Sequence, residues 1–279
     1  MEMIGRRATV GLSLLCALAL CAFAAQSVSA APAKKTTAFT CVENGGLKDF
    51  EDAHCDHRVG PEQGKFGHIP IPQNQTTEVT VTNAKTSFGT FESTPTVLKF
   101  IFGGKPVEIS CKTVHGVGTM HNVEPILQEH KVTGTLTVKA TECKVVKPLK
   151  CFVKEPIEYL TEFEGVEGLG PEGNTHGIEY KPHLEEGGTL MTITLEGPEC
   201  LVKGVVPITG TMIATGGPNP KEQHSGATQV FTNEMTKETL KAAGKPAEHS
   251  GALTMKMAPV EGVEQNPIAF TTVTQTGRR

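Results

Sequence analysis

Leu190-Met191-Thr192-Ile193-Thr194-Leu195 sets threonines between aliphatic side chains, and a similar alternation recurs in Glu78-Val79-Thr80-Val81-Thr82 and from Thr133 to Val138. Successive side chains of a strand point to opposite faces, so this period of two reads as strands with one buried face and one wet face. Val97 to Phe102 and Val107 to Thr113 flank Gly103-Gly104-Lys105-Pro106, which reads as a hairpin turn. Helical patterning is confined to Asn233–Ala243, where Met235, Leu240 and interspersed charges predict a short helix that Gly244 stops. The fold class expected is all-β, an antiparallel sandwich or barrel.

Short echoes support a β architecture. A hydroxyl residue, Gly and a small residue are expected to open strands at Thr133-Gly134-Thr135, Thr209-Gly210-Thr211, Ser225-Gly226-Ala227 and Ser250-Gly251-Ala252. Gly104-Lys105-Pro106-Val107-Glu108 is echoed by Gly244-Lys245-Pro246-Ala247-Glu248, and Glu142-Cys143-Lys144-Val145 by Glu199-Cys200-Leu201-Val202. The intervals between copies are irregular, which argues against a solenoid and for a sandwich or barrel. Glu162 to Gly177 and Gly216 to Gly226 are expected as long loops, by their Glu, Gly and Pro content.

The composition limits the classes of function. The chain has 279 residues, 38% hydrophobic and 5% aromatic, with 26 Lys+Arg against 30 Asp+Glu and no Trp. A formal charge of -4 with dispersed lysines predicts no nucleic-acid partner. Met1 to Ala30 reads as a secretory signal peptide: Arg6 and Arg7 precede the apolar run Val10 to Ala25, and Val28-Ser29-Ala30 offers a small-residue cleavage site. No later segment is apolar and long enough for a spanning helix, so no transmembrane segment is expected after cleavage. The expected location is extracellular or at the cell envelope.

Removing the leader leaves Cys41, Cys55, Cys111, Cys143, Cys151 and Cys200, an even number in an exported chain, which predicts disulfides. Cys41 and Cys55 bracket a Gly- and Asp-rich segment far from the other four and are paired on that ground. For the remainder, proximity favours Cys143 with Cys151 and Cys111 with Cys200, although sequence leaves the pairing of these four open. The region 31–75 is expected as a small disulfide-stapled N-terminal subdomain, and 76–279 as the sandwich or barrel domain.

Three constellations invite a chemical reading. Asp49, Glu51, Asp52, His54, Asp56 and His57 surround Cys55, but no second ligand pair matches His54 and His57, so an exposed acidic loop is expected and not a metal site. His224-Ser225 and His249-Ser250 put histidine beside serine, yet strand neighbours point to opposite faces and cannot form a base–nucleophile pair. Glu162, Glu164 and Glu167 carry the carboxylates a glycosidase needs, but the chain has only Tyr159 and Tyr180 beside its Phe residues as platforms for sugar. No catalytic residue, metal or cofactor is therefore assigned. Asn74-Gln75-Thr76 fits a glycosylation sequon.

Phe39-Thr40-Cys41-Val42-Glu43, Gly45-Gly46, Asp52-Ala53-His54-Cys55-Asp56 and Gly67-His68 form one block; Gly134 to Val138, Cys143, Cys151, Cys200 and Thr209-Gly210-Thr211 follow it. Together they resemble a group of predicted secreted β-rich proteins from soil actinobacteria to which no function is assigned. The resemblance implies a bacterial exported protein and no activity. The function expected is a secreted, non-enzymatic β-protein with a structural, adhesive or envelope-associated role, with cell-envelope components as candidate partners. The alternatives are a secreted hydrolase, glycosidase-like or metal-dependent, and a small-molecule-binding β barrel whose lumen Phe100, Phe102, Met191 and Met212 line.

Overall fold

The computed structural model describes residues 36–72, 74–84, 95–123, 131–167, 176–183, 188–216, 227–231, 239–258 and 266–272. The expected signal segment Met1–Ala30 lies outside them. The first eight strands are β1 (Thr36–Glu43), β2 (Phe66–Pro70), β3 (Thr76–Asn83), β4 (Thr96–Phe102), β5 (Lys105–Val123), β6 (Lys131–Lys147), β7 (Phe152–Val153) and β8 (Ile157–Glu167). The rest are β9 (His176–Pro182), β10 (Thr189–Glu196), β11 (Gly204–Thr209), β12 (Met212–Gly216), β13 (Thr228–Phe231), β14 (Lys241–Ala242), β15 (Lys245–Met257) and β16 (Ile268–Thr272). The fold is all-β, and among the described residues no helix is long and apolar enough to cross a membrane.

The sheet closes. Leu253 of β15 faces Asn83 of β3 on one side and Gln229 of β13 on the other. Pairing then runs from β13 through β12, β9, β8, β6, β5 and β3 back to β15, always antiparallel. Closure leaves no free edge in this ring. The alternation that announced the strands decides what turns inward: Val79 and Val81 of β3 are buried between exposed or half-buried neighbours. In β10 the alternation slips, because a register shift between Thr189 and Met191 buries both Leu190 and Met191.

Strands β5, β6 and β15 are long enough to leave the barrel and continue as a second layer. There β4 pairs with β5 on one side and β15 on the other, and β14, β11, β10 and β7 extend the sheet from β15. The echoed Gly-Lys-Pro runs are the same device used twice. Gly103 and Gly104 (φ 55° and 75°) turn β4 into β5, while Ala243 and Gly244 (φ 47° and 79°) turn β14 into β15. Positive φ at both central residues is the two-residue hairpin geometry that follows the twist of the strands. The Ser/Thr-Gly echoes are corrected at two places, where Gly134 and Gly251 sit inside β6 and β15 and do not open strands; Thr209-Gly210-Thr211 does lead into β12, and residues 225–226 lie outside the described residues. At Gly251, β15 passes from pairing with β4 to pairing with β3 and β13.

Two further expectations are corrected. The described residues of Glu162 to Gly177 are strand, with β8 and β9 in register from Thr161↔Pro182 to Glu167↔His176, and 168–175 lie outside the described residues. Of the expected helix Asn233–Ala243, residues 233–238 lie outside the described set, and Lys241–Ala242 is strand β14 paired with β11 and β15. Leu240 and Ala242 are buried while Lys241 is exposed, so the short apolar pattern had period two. Residues 217–226 of the second expected loop are also outside the description.

A three-stranded sheet, ordered β16-β1-β2, packs with the barrel in one compact unit spanning Lys34–Arg279. It caps one end. Asn122 of β5, 2% exposed, accepts from Ala38 N–H at 3.1 Å and donates to the carbonyls of Ala38 and Ile71 at 3.2 Å each. A single amide thus gives β1 the bonds a strand partner would give, in a place where unmade bonds are costly. Ala227 N–H donates to the His54 carbonyl, tying the cap to the segment entering β13.

Disulfides hold both layers. Cys41–Cys55 forms as expected, but the other two are Cys111–Cys143 and Cys151–Cys200. This overturns the preference for Cys143–Cys151. The long β5–β6 hairpin places Cys111 directly opposite Cys143, so strand register rather than nearness along the chain chooses the partner.

Candidate functional site

The acidic cluster at the cap is used for its own folding. Asp52 accepts the backbone N–H groups of His54, Asp56 and His57, closing the turn that carries Cys55. Asp49 pairs with Arg58 at 2.9 Å, and His57 lies 3.7 Å from Glu51. Asp56 is 4% exposed and accepts Thr228 N–H of β13 at 3.1 Å. Burial, reinforced by the Asp52 charge against opposing hydrogen bonds from Thr228, pushes the Asp56 carboxyl up to about 6. Burial also lowers the pKa of His54, outweighing the pull of Asp52. Among the described residues no group of three or more His, Cys, Asp or Glu side chains sits together as a metal cage.

The glycosidase candidates are split by ion pairs along β8 and β9. Glu162 lies 3.0 Å from His183 Nδ1, and Glu164 takes Lys181 at 3.2 Å. Glu167 pairs in register with His176 at the far end of β8. His224 and Ser225 lie outside the described residues. His249 and Ser250 are adjacent on β15, the histidine buried and the serine half-buried on the other face.

His249 points into the interior. There a cavity of about 50 Å³ is bounded by Leu136, Val138, Tyr180, Met191, Met212, Phe231 and His249, among others. Met191 and Met212 line it as expected of a lumen; Phe100 and Phe102 do not. The His249 ring stands edge-on to Phe231 at 4.7 Å, and its Nδ1, like Thr96 Oγ1, has no hydrogen-bond partner among the described residues. Burial pushes the imidazole down to about 4, so it is neutral at pH 7. The Tyr180 hydroxyl donates to Gln229 Oε1, and burial raises its phenol well above the ordinary value. Space of this size holds a few water molecules, well under the roughly 300 Å³ at which ligand pockets begin.

The end of the molecule opposite the cap is built differently. Here the β4–β5 turn, the segment after β6, the β10–β11 turn and the β14–β15 turn come together. Cys151–Cys200 joins the second to the third. Val202 lies against Gly103, the Phe102 ring against Gly204, and the Phe152 ring against Gly197. This pole presents large apolar side chains to solvent: Leu149 is 80% exposed, Leu201 77%, Phe152 62% and Val205 61%, with Ile101 beside them. Turns normally carry polar residues, and a contiguous exposed apolar group marks an interaction site. Lysines surround it. Lys147 pairs with Glu108 and Lys150 with Glu199, whereas Lys105, Lys203 and Lys245 form no ion pair among the described residues.

Sequence reading missed this site. Each of the four apolar residues is unremarkable in its own segment, and the two segments are far apart in the chain, tied by the disulfide that proximity assigned wrongly, by the β7–β10 pairing and by Lys150–Glu199. The available signal was local: Leu149-Lys150-Cys151-Phe152 and Cys200-Leu201-Val202-Lys203 both set bulky apolar residues beside cysteine in a turn. No protein-family model, no curated protein and no solved structure matches this chain.

Proposed function

We propose that this chain is an exported bacterial β scaffold without enzymatic activity, held at the cell envelope through its apolar, lysine-ringed pole. The observation that carries the reading is the exposure of Leu149 and Leu201 on turns beside Cys151–Cys200, and of Phe152 and Val205 at the starts of β7 and β11. Rigid turns lose little conformational freedom on contact, so apolar surface displayed on them converts efficiently into binding. Three disulfides suit an oxidising compartment outside the cytosol. Glu162 and Glu164 face His183 and Lys181, and Asp49, Asp52 and Asp56 are held by Arg58 and by backbone N–H groups, which favours the scaffold over a hydrolase. The small interior cavity favours it over a barrel that carries a ligand.

The test is fractionation of the producing cells. The protein is expected in washed envelopes, with the Leu149→Ser/Leu201→Ser variant shifted to the soluble fraction. Wild-type protein found wholly in the medium, with no envelope-bound pool, would sink the reading.

A further inference from the structure

The pole has the makeup of a surface that meets lipid. Its apolar residues come from two turns, at Leu149 and Leu201, and from the starts of β7 and β11, at Phe152 and Val205. Protein-binding hot spots are enriched in Trp, Tyr and Arg and depleted in Lys. This pole has the opposite bias, with aliphatic residues and lysines. Lysine carries a compact, strongly hydrated charge on a long apolar stem, which reaches a phosphate headgroup while the stem stays among apolar groups. The chain as a whole is acidic, at -4, so a cationic end also decides which way the molecule faces a negatively charged surface. Glu108 and Glu199 are neutralised by Lys147 and Lys150, and Glu196 adds one negative charge at the end of β10.

We propose that this pole docks onto an anionic bilayer, with Leu149, Phe152, Leu201 and Val205 entering the interface and Lys105, Lys203 and Lys245 meeting the phosphate headgroups. The inference rests on the envelope reading above and names the partner at that site. Insertion is shallow, at the level of the headgroup–acyl boundary, because turns expose backbone groups that the hydrocarbon core does not tolerate. Attachment is therefore peripheral and reversible. Charge contributes about fivefold in partition per lysine near an anionic surface, and burial of a leucine at least tenfold.

The experiment is co-sedimentation of the purified, disulfide-intact protein with vesicles of phosphatidylcholine alone or mixed with phosphatidylglycerol. Binding to the mixed vesicles is expected, weakening as salt rises. Lys105→Gln/Lys203→Gln/Lys245→Gln should lose about a hundredfold in partition. Leu149→Ser/Leu201→Ser should lose at least a hundredfold, with an unchanged melting temperature because both side chains are solvent-exposed in the free protein. Absence of binding to mixed vesicles at low salt overturns the proposal, as does binding that the leucine variant leaves intact. If the envelope pool of wild-type protein persists while vesicles fail, the partner is not lipid and the envelope reading stands. If both fail, that reading falls too.

Discussion

The two ends of this molecule each carry a disulfide, and the bridges hold opposite kinds of surface. At the cap, Cys41–Cys55 fixes a turn that Asp52 closes through backbone N–H groups and that Asp56 ties to the start of β13. At the pole, Cys151–Cys200 fixes turns whose apolar groups face outward. At the cap the buried Asp56 and Asn122 find partners in Thr228, Ala38 and Ile71, while Asp49 Oδ1 is left without one among the described residues. The pole departs from the rule that turns are polar, and nothing in the stability of the fold requires it to. Such a departure is where function is expected.

Removing the bridges puts the largest strain on this comparison. On the chain-entropy model, the 49-residue separation of Cys151 and Cys200 is worth about 4 kcal/mol and the 14-residue separation of Cys41 and Cys55 about 3 kcal/mol. Denaturant melts of Cys151→Ala/Cys200→Ala and Cys41→Ala/Cys55→Ala should show losses in that order. Only the first pair should also lose envelope attachment. If the cap variant loses attachment equally while still folded, the division of labour between the ends is wrong.

Asp56 sharpens the contrast, because the cap buries a carboxyl where the pole exposes its charges. The folded-state pKa is raised from 3.8 to about 6, so the folded protein holds this proton more tightly than the unfolded chain. Its contribution is therefore full below about pH 3.8 and is lost as pH rises through 6. Asp56→Asn keeps an oxygen to accept Thr228 N–H and removes the titration. The variant should exceed wild type at pH 7.5 by up to about 3 kcal/mol and match it below pH 3.8, measured by thermal melts across pH. A constant difference at all pH values would show that Asp56 titrates alike in the folded and unfolded states, so that burial does not raise its pKa.

Ion pairs give the smallest effect. Lys150–Glu199 at the pole is exposed on both sides, at 66% and 63%, and its coupling in a double-mutant cycle should be about 0.5 kcal/mol or less. Arg58–Asp49 at the cap, with Asp49 only 10% exposed, should couple at about 1 kcal/mol. Equal couplings would mean that the two ends are equally wet.

Much of the fold was legible in sequence. Val79 and Val81, or Leu136 and Val138, announce strands because alternation is a local consequence of backbone geometry. Gly103-Gly104 announces its turn for the same reason. The helix expected at Asn233–Ala243 failed at its end because pairing with β11 and β15 overrode a short pattern that fits either period. The candidate site was barely legible. Leu149 and Leu201 are far apart in the chain, and the Cys151–Cys200 bridge, the β7–β10 pairing and the Lys150–Glu199 contact bring their segments together.

By itself the sequence determined that this protein is built of strands, and that Cys41 meets Cys55, because both follow from interactions within a few residues or from isolation along the chain. Tertiary structure alone decided that β13 and β3 meet on either side of β15 to close a barrel, that register sets Cys111 opposite Cys143, and that apolar turns gather at one pole. Those outcomes depend on contacts between distant segments, and which face of a strand finds a partner is settled only when the whole sheet has formed.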